Sequence, residues 1–210
     1  MNYKIKTIDN FLEREDLESL NSLNFNPIVD NGVSYYQCLI DKNNNFINSE
    51  NENKIINNIF EKYNEVLLKI LKELNPEKLN LYDYSMISLA RTGKDFKFPI
   101  HDDTPEKILS GVIYLNPEIN SGTNFYDGKL SGMKKSIEWK KNRAVFFSRE
   151  ERKTWHSYEG DKISNRIALV YNLMTNNVEE VCKIEKTNYL LVKYRLKLNE
   201  HLYRFFKFTI

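Results

Sequence analysis

"FPIHDDTPEKILSGVIYLNP", residues 98–117, carries one of only three histidines in a 210-residue chain, set beside two aspartates. His101 stands at the end of an apolar approach, and a strand-like run, GVIYL, follows within a few residues. If 97–103 is extended, alternation places His101 and Asp103 on one face and turns Asp102 to the other. One imidazole and one carboxylate converging from a rigid strand supply two of the three protein ligands of a known kind of metal site.

The chain around this stretch has the same texture. LYDYSMISLAR, KFPIHDD, LSGVIYL, TNFYD, KKSIEW, RAVFFS, KTWHSY and NRIALVYNLM succeed one another as short strand-like runs with glycines in or between them. Such a succession predicts an antiparallel sandwich or small barrel, not alternating βαβ units. Upstream, YKIKTIDNFL reads as a strand entering a helix. Asn10 is its expected cap, Glu13 follows three residues later, and Leu12, Leu17, Leu20 and Leu23 supply the apolar positions. SYYQCLI (34–40) is a further strand, and DKNNNFINSENEN is a polar loop. From Glu52 to Leu74 apolar residues recur at helical spacing, and Asn75-Pro76 ends the helix. NYLLVKYRLKLNEHLYRFFKF reads as an amphipathic helix, basic on its polar side, in which His201 is structural. The fold class predicted is α+β with a mainly β core. It is a double-stranded β-helix, or jelly roll, over about 80–175, flanked by N-terminal support helices within 10–75. A C-terminal helical tail follows at about 186–207, all in one domain spanning 1–210.

Composition narrows the function. Hydrophobic residues make up 41% and aromatics 13%, which argues against disorder. The 31 basic and 29 acidic residues leave a formal charge of +2, too little to attract nucleic acid or a membrane surface. Cys38 and Cys182 lack metal-ligand spacing and read as buried thiols in a reducing compartment. MNYKIKTIDNFL has no apolar signal core, and no run is long enough to span a bilayer. A cytoplasmic protein acting on a small-molecule or peptidyl substrate is expected. The basic tail is a solvated face or a homodimer contact.

RKTWHSYEGDKISNRIALVYNL supplies a third ligand, His156, ahead of another strand. Two histidines and one carboxylate on one face of a metal form the set that holds non-haem iron(II), and the absence of cysteine ligands argues against structural zinc. Arg166 follows ten residues later. A guanidinium on a strand inside a barrel needs an anionic partner, which a metal-chelating dicarboxylate would provide through its far end.

His101-Asp102-Asp103, His156 and Arg166 resemble the HxD…H…R signature of the iron(II)- and 2-oxoglutarate-dependent dioxygenases, particularly the prolyl-4-hydroxylase-like branch. IDNFLEREDLESL is similar to the entry strand and helix of that branch. GVIYLNPEINSGTNFYD is similar to its strand, turn and "GG-T-F" segment, and NRAVFFS to its "G-A-V-F-F" strand. Ser121-Gly122 replaces the double glycine, Asn124 stands where threonine is commoner, and Arg91 falls where many relatives carry a cosubstrate-contacting tyrosine.

The resemblance implies that His101, Asp103 and His156 are the catalytic iron ligands. It implies that 2-oxoglutarate is the cosubstrate, held by Arg166 with Tyr114 a candidate further contact, and it admits ascorbate as an accessory. A C–H bond of the substrate would be hydroxylated while 2-oxoglutarate becomes succinate and CO2. The retained carboxylate ligand favours hydroxylation over halogenation. Two rivals remain: a cupin-like metal enzyme that does not use 2-oxoglutarate, and a catalytically silent jelly-roll binding protein. Trp155 is expected to pack, Arg91 is a candidate pocket contact, and the 43–52, 91–97 and 127–135 segments are expected to line the substrate pocket.

Overall fold

The computed structural model describes residues 4–23, 30–48, 53–129 and 134–206, with the backbone alone from 199 onward. Its elements run β1 (Ile5–Ile8), α1 (Arg14–Ser22), β2 (Val33–Asp41), α2 (Lys54–Leu74), a 3-10 turn (Pro76–Leu81), β3 (Tyr84–Thr92), β4 (Lys97–His101), β5 (Lys107–Asn116), β6 (Thr123–Tyr126), β7 (Lys134–Ile137), β8 (Ala144–Phe147), β9 (Trp155–Glu159), β10 (Arg166–Met174), α3 (Val178–Ile184) and α4 (Tyr189–Phe206). The eight strands anticipated from residue 81 onward are β3 to β10.

They form two antiparallel sheets, ordered β1-β8-β5-β10-β3-β2 and β4-β9-β6-β7. Four of the eight, β3, β5, β8 and β10, lie in the larger sheet, and β4, β6, β7 and β9 make the smaller. This is the jelly roll predicted, with β1 and β2 added at the two edges of the larger sheet. Along β10 the period of two divides the side chains cleanly. Ile167, Leu169, Tyr171 and Leu173 join the core beneath the helices, and Arg166, Ala168 and Val170 face the space between the sheets.

Helix α2 covers the larger sheet. Its buried positions Ile56, Ile59, Phe60, Tyr63, Leu67, Ile70 and Leu71 recur every three or four residues and pack in one cluster with Ile87, Leu89, Ile113 and Leu169. Asn53 caps it, its Oδ1 accepting from the backbone N–H groups of Ile55 and Ile56 at 2.9 and 3.3 Å. The helix ends at Asn75-Pro76 as predicted; Glu52, its expected start, lies outside the described residues. Cys38 and Cys182 are both buried thiols. Among the described residues no helix is long and apolar enough to cross a membrane.

One expectation is corrected. Asn10 is not the cap of α1: it takes a left-handed turn with φ 52, and the helix starts at Arg14 after Glu13. The entry is held instead by Asn142, whose side chain accepts from Leu12 N–H at 2.9 Å and donates to Leu12 C=O at 2.8 Å. A short helix that was not anticipated, α3, lies ahead of the expected tail, which is α4. The side chain of His201 lies outside the described residues.

Candidate metal centre

Pairing of β4 with β9 sets His101 directly opposite His156. The ladder is irregular here. Phe98 pairs with Tyr158 and His101 with His156, so three steps on β4 match two on β9. Pro99, which has no N–H to offer a ladder, sits in this extra length. The bulge lets Phe98 and His101 both face the interior despite their odd spacing, and it lies before the His-Asp-Asp segment. Strand β4 ends at His101, yet the alternation carries on for two residues. Asp103 is buried on the side of His101. Asp102 turns away to accept from Thr154 Oγ1 at 2.7 Å and Arg152 N–H at 2.6 Å.

The two imidazoles stand with ring centroids 4.1 Å apart. His101 Nδ1 lies 3.0 Å from the carbonyl of Pro99, and His156 Nδ1 lies 2.9 Å from that of Thr154. A carbonyl only accepts, so each ring carries its proton on Nδ1 and presents Nε2 as a free lone pair. Those Nε2 atoms stand 4.0 and 3.9 Å from the two oxygens of Asp103. One ligand atom from each of the three residues falls within 4.8 Å of the others. Two neutral imidazoles and a carboxylate with second atoms already tied down suit a divalent transition metal.

Asp103 is the most heavily bonded of the three. Its Oδ1 accepts from Lys107 Nζ at 2.6 Å, its Oδ2 from Ser110 Oγ at 2.6 Å, and its carbonyl from the buried Arg149 Nε at 2.9 Å. Burial works against the charged carboxylate, but Lys107 outweighs it and holds the pKa well below the usual range. Burial lowers His101 to about 4.

Arg166 opens β10 within the same cavity, which measures about 290 Å³. The guanidinium carbon sits 3.0 Å from the ring centre of Tyr158 and 5.4 Å from that of Trp139. Among the described residues its one hydrogen bond is long, 3.5 Å to the carbonyl of Ser121, and its buried Nε has no partner. No carboxylate among the described residues pairs with it. Burial lowers its pKa to about 10. Tyr114 lies behind this site, not on the cavity wall. It stacks on Trp139 at 4.3 Å, and its hydroxyl accepts from Thr123 N–H at 3.0 Å and bonds Thr123 Oγ1 at 2.8 Å. Thr123 itself lines the cavity.

Other expected pocket residues are placed elsewhere. On β3 it is Met86, Ser88, Ala90 and Thr92 that face the cavity, so the period of two directs Arg91 to the opposite face. Trp155, expected to pack, does not line the cavity and donates to Arg152 C=O at 2.9 Å. Of the expected segments, 91–97 contributes Thr92 and Phe96, and Tyr35 and Gln37 of β2 supply wall where the described residues 43–48 do not; residues 49–52 lie outside the described residues. Residues 130–133 lie outside the described residues. Lys107, Ser110, Tyr158 and Asn172 also line the cavity without having been singled out. Of these only Tyr158, two residues beyond His156 on the same strand face, carried a signal that sequence could have used.

No protein-family profile matches the chain, and no curated protein matches it by sequence. Solved structures do match its fold. A prolyl-4-hydroxylase from Pseudomonas putida is 13% identical, with 83% of this chain and 94% of that one covered and a TM-score of 0.57. A candidate oxygenase from Shewanella oneidensis is 14% identical, with 82% of each chain covered and a TM-score of 0.55. At these identities the likeness is one of architecture. The chain has the fold of the prolyl-4-hydroxylase-like jelly-roll oxygenases and carries a His-Asp-His cluster able to hold a metal.

Proposed function

We propose that this chain is an iron(II)- and 2-oxoglutarate-dependent oxygenase. The overall reaction inserts one oxygen atom of O2 into a substrate C–H bond to give a hydroxyl, and joins the other to 2-oxoglutarate as it becomes succinate and CO2. The observation that carries the reading is the content of one cavity. It holds a two-histidine, one-carboxylate cluster and, beside it, a desolvated guanidinium without an anion. An isolated buried charge is costly unless a partner arrives. A dicarboxylate that reaches the metal through one end and Arg166 through the other satisfies both features. A metal enzyme that does not use such a cosubstrate has no need of Arg166.

In this reading His101 Nε2, His156 Nε2 and an oxygen of Asp103 hold the iron, which supplies the redox chemistry. Pro99 and Thr154 fix the ring orientations through their carbonyls. Ser110 and Lys107 fix the carboxylate, and Asp102 braces the turn ahead of His156. Arg166 orients the cosubstrate with a planar fork that a lysine cannot reproduce. Phe98, Phe125 and Phe147 line the surroundings and exclude water. Anaerobic titration with iron(II) and 2-oxoglutarate tests the reading: a visible absorption band requiring both components is expected. A protein that binds iron but shows no change on adding 2-oxoglutarate rejects it.

A further inference from the structure

The cavity contains more positive charge than iron and 2-oxoglutarate account for. Its wall carries two cations, Lys107 and Arg166, and a single acid, Asp103. With neutral histidines the cations exceed the acid by one. A divalent metal raises the excess to three, and the 2-oxoglutarate dianion returns it to one. One unit of positive charge therefore remains in the cavity, whose wall Lys107 shares with its partner Asp103.

Lys107 reaches the cavity through a second bulge. Leu173 of β10 pairs with Leu109 and the next residue, Met174, with Lys107, so β5 has one residue too many at Ile108. Alternation alone would send Lys107 and Ser110 to opposite faces; the bulge brings both to the metal side. An ammonium has three N–H donors, and among the described residues the one partner of Lys107 is Asp103. Its side chain is 24% exposed, so its free donors are open to the cavity. Asn172 of β10 lines the same cavity. Its Oδ1 accepts from Gly111 N–H at 3.4 Å, which fixes the amide orientation and leaves Nδ2 as a donor. Asn172 is 1% exposed, it lines the cavity, and that Nδ2 has no partner. Leaving such a group unpaired carries a desolvation cost that a ligand acceptor would relieve.

We propose that the substrate is a small carboxylate, bound through Lys107 Nζ and Asn172 Nδ2. The cavity is at the small end for ligand sites, which suits a free acid of few carbons once the cosubstrate is in place. Because Lys107 grips a metal ligand directly, a carboxylate held there sets its adjacent carbons beside the metal. This inference rests on the proposed oxygenase reading and supplies its substrate class.

The test uses full-length protein saturated with Mn(II) and 2-oxoglutarate, titrated calorimetrically. The probes are straight-chain four- to six-carbon monocarboxylates and their 2-amino derivatives, each paired with its primary amide. At least one acid should bind at least about tenfold more tightly than its amide. Lys107→Met should weaken that acid by about 30-fold or more, and Lys107→Arg by less, with melting curves confirming that both are folded. Asn172→Asp keeps the shape and the acceptor for Gly111 but replaces the donor with a negative charge, so it should reverse the preference toward the amide. Equal binding of acids and amides overturns the proposal. So does an unchanged preference in Lys107→Met, or the failure of every acid to bind by about 10 mM. If 2-oxoglutarate itself does not bind the metal-loaded protein, the oxygenase reading falls, and this inference with it. If 2-oxoglutarate binds and the acid preference is missing, only this inference falls.

Discussion

Replacing Arg166 with methionine should stabilise the ligand-free protein and abolish its response to 2-oxoglutarate. Burial lowers the Arg166 pKa from 12.5 to about 10. At 1.36 kcal/mol per unit, holding the guanidinium charged in this site costs about 3 kcal/mol relative to water. The stacking on Tyr158 and Trp139 returns about 0.5–2 kcal/mol of that, which methionine forfeits in part. A net gain of about 1–2 kcal/mol should therefore accompany Arg166→Met, and in a chain of this size that raises the melting temperature by roughly 2–8 °C. The ligand reverses the order. At one hundred times its dissociation constant, 2-oxoglutarate should add about 2.7 kcal/mol to the wild type. The variant has lost a desolvated charged pair worth roughly 2–5 kcal/mol, a 30-fold to several thousand-fold weakening, and should gain almost nothing. The assay is thermal unfolding of both proteins with Mn(II) present throughout, with and without 2-oxoglutarate. The two melting curves should exchange places on adding ligand. A variant that melts below the wild type without ligand, and still shifts upward by the same amount with it, refutes the reasoning about a stored, unpaired charge.

Asp102→Asn and Asp103→Asn should part company in metal binding by calorimetry. The first keeps an oxygen to accept from Arg152 N–H and turns its NH2 to Thr154 Oγ1, a hydroxyl that can accept, so it should retain affinity, whereas the second removes a ligand charge and should lose at least tenfold. In metal-free protein, the lowering of His101 from 6.5 to about 4 means that the unfolded chain takes up a proton the folded chain refuses. The stability it contributes is complete above pH 6.5 and is lost progressively toward about pH 4, by up to roughly 3 kcal/mol. The urea midpoint of His101→Gln should therefore fall less across that window than that of the wild type. Gly122→Ala should destabilise by more than about 2 kcal/mol in urea, because a Cβ there would lie 1.8 Å from the carbonyl of Ile137; a midpoint within error of the wild type would contradict this close approach.

The fold was legible because its determinants are local. Strands β3 to β10 announce themselves by apolar runs cut by turn residues, and α2 by a period of three to four ending at a proline. The failures fall where a distant residue decides. Asn10 satisfies every local rule for a helix cap, but Asn142, far away in sequence, holds the entering backbone at Leu12 and lets the chain turn left-handed before the helix begins. Helix α3 is only seven residues long, too short for a hydrophobic period to be read, and it forms where Asn177 caps it after β10.

The site divides along the same line, and its two bulges show why. His101, Asp103, His156 and Arg166 could be singled out because each role demands a residue type that few positions in this chain offer. Alternation then separated Asp103 from Asp102 correctly, since the bulge at Pro99 lies before His101 and leaves the spacing of the next two residues intact. The bulge at Ile108 acts in the opposite way. It reverses the facing of Lys107 relative to Ser110, so a lysine that strict alternation would turn away from the cavity becomes the inward partner of Asp103. Nothing in the letters EKILSG marks that extra residue. It exists only in the register of β5 against β10, just as the orphaned amide of Asn172 exists only in what fails to reach it. Residue chemistry therefore discloses the part of the site that a metal and a dicarboxylate would require, while the part facing the remaining ligand is set by strand register.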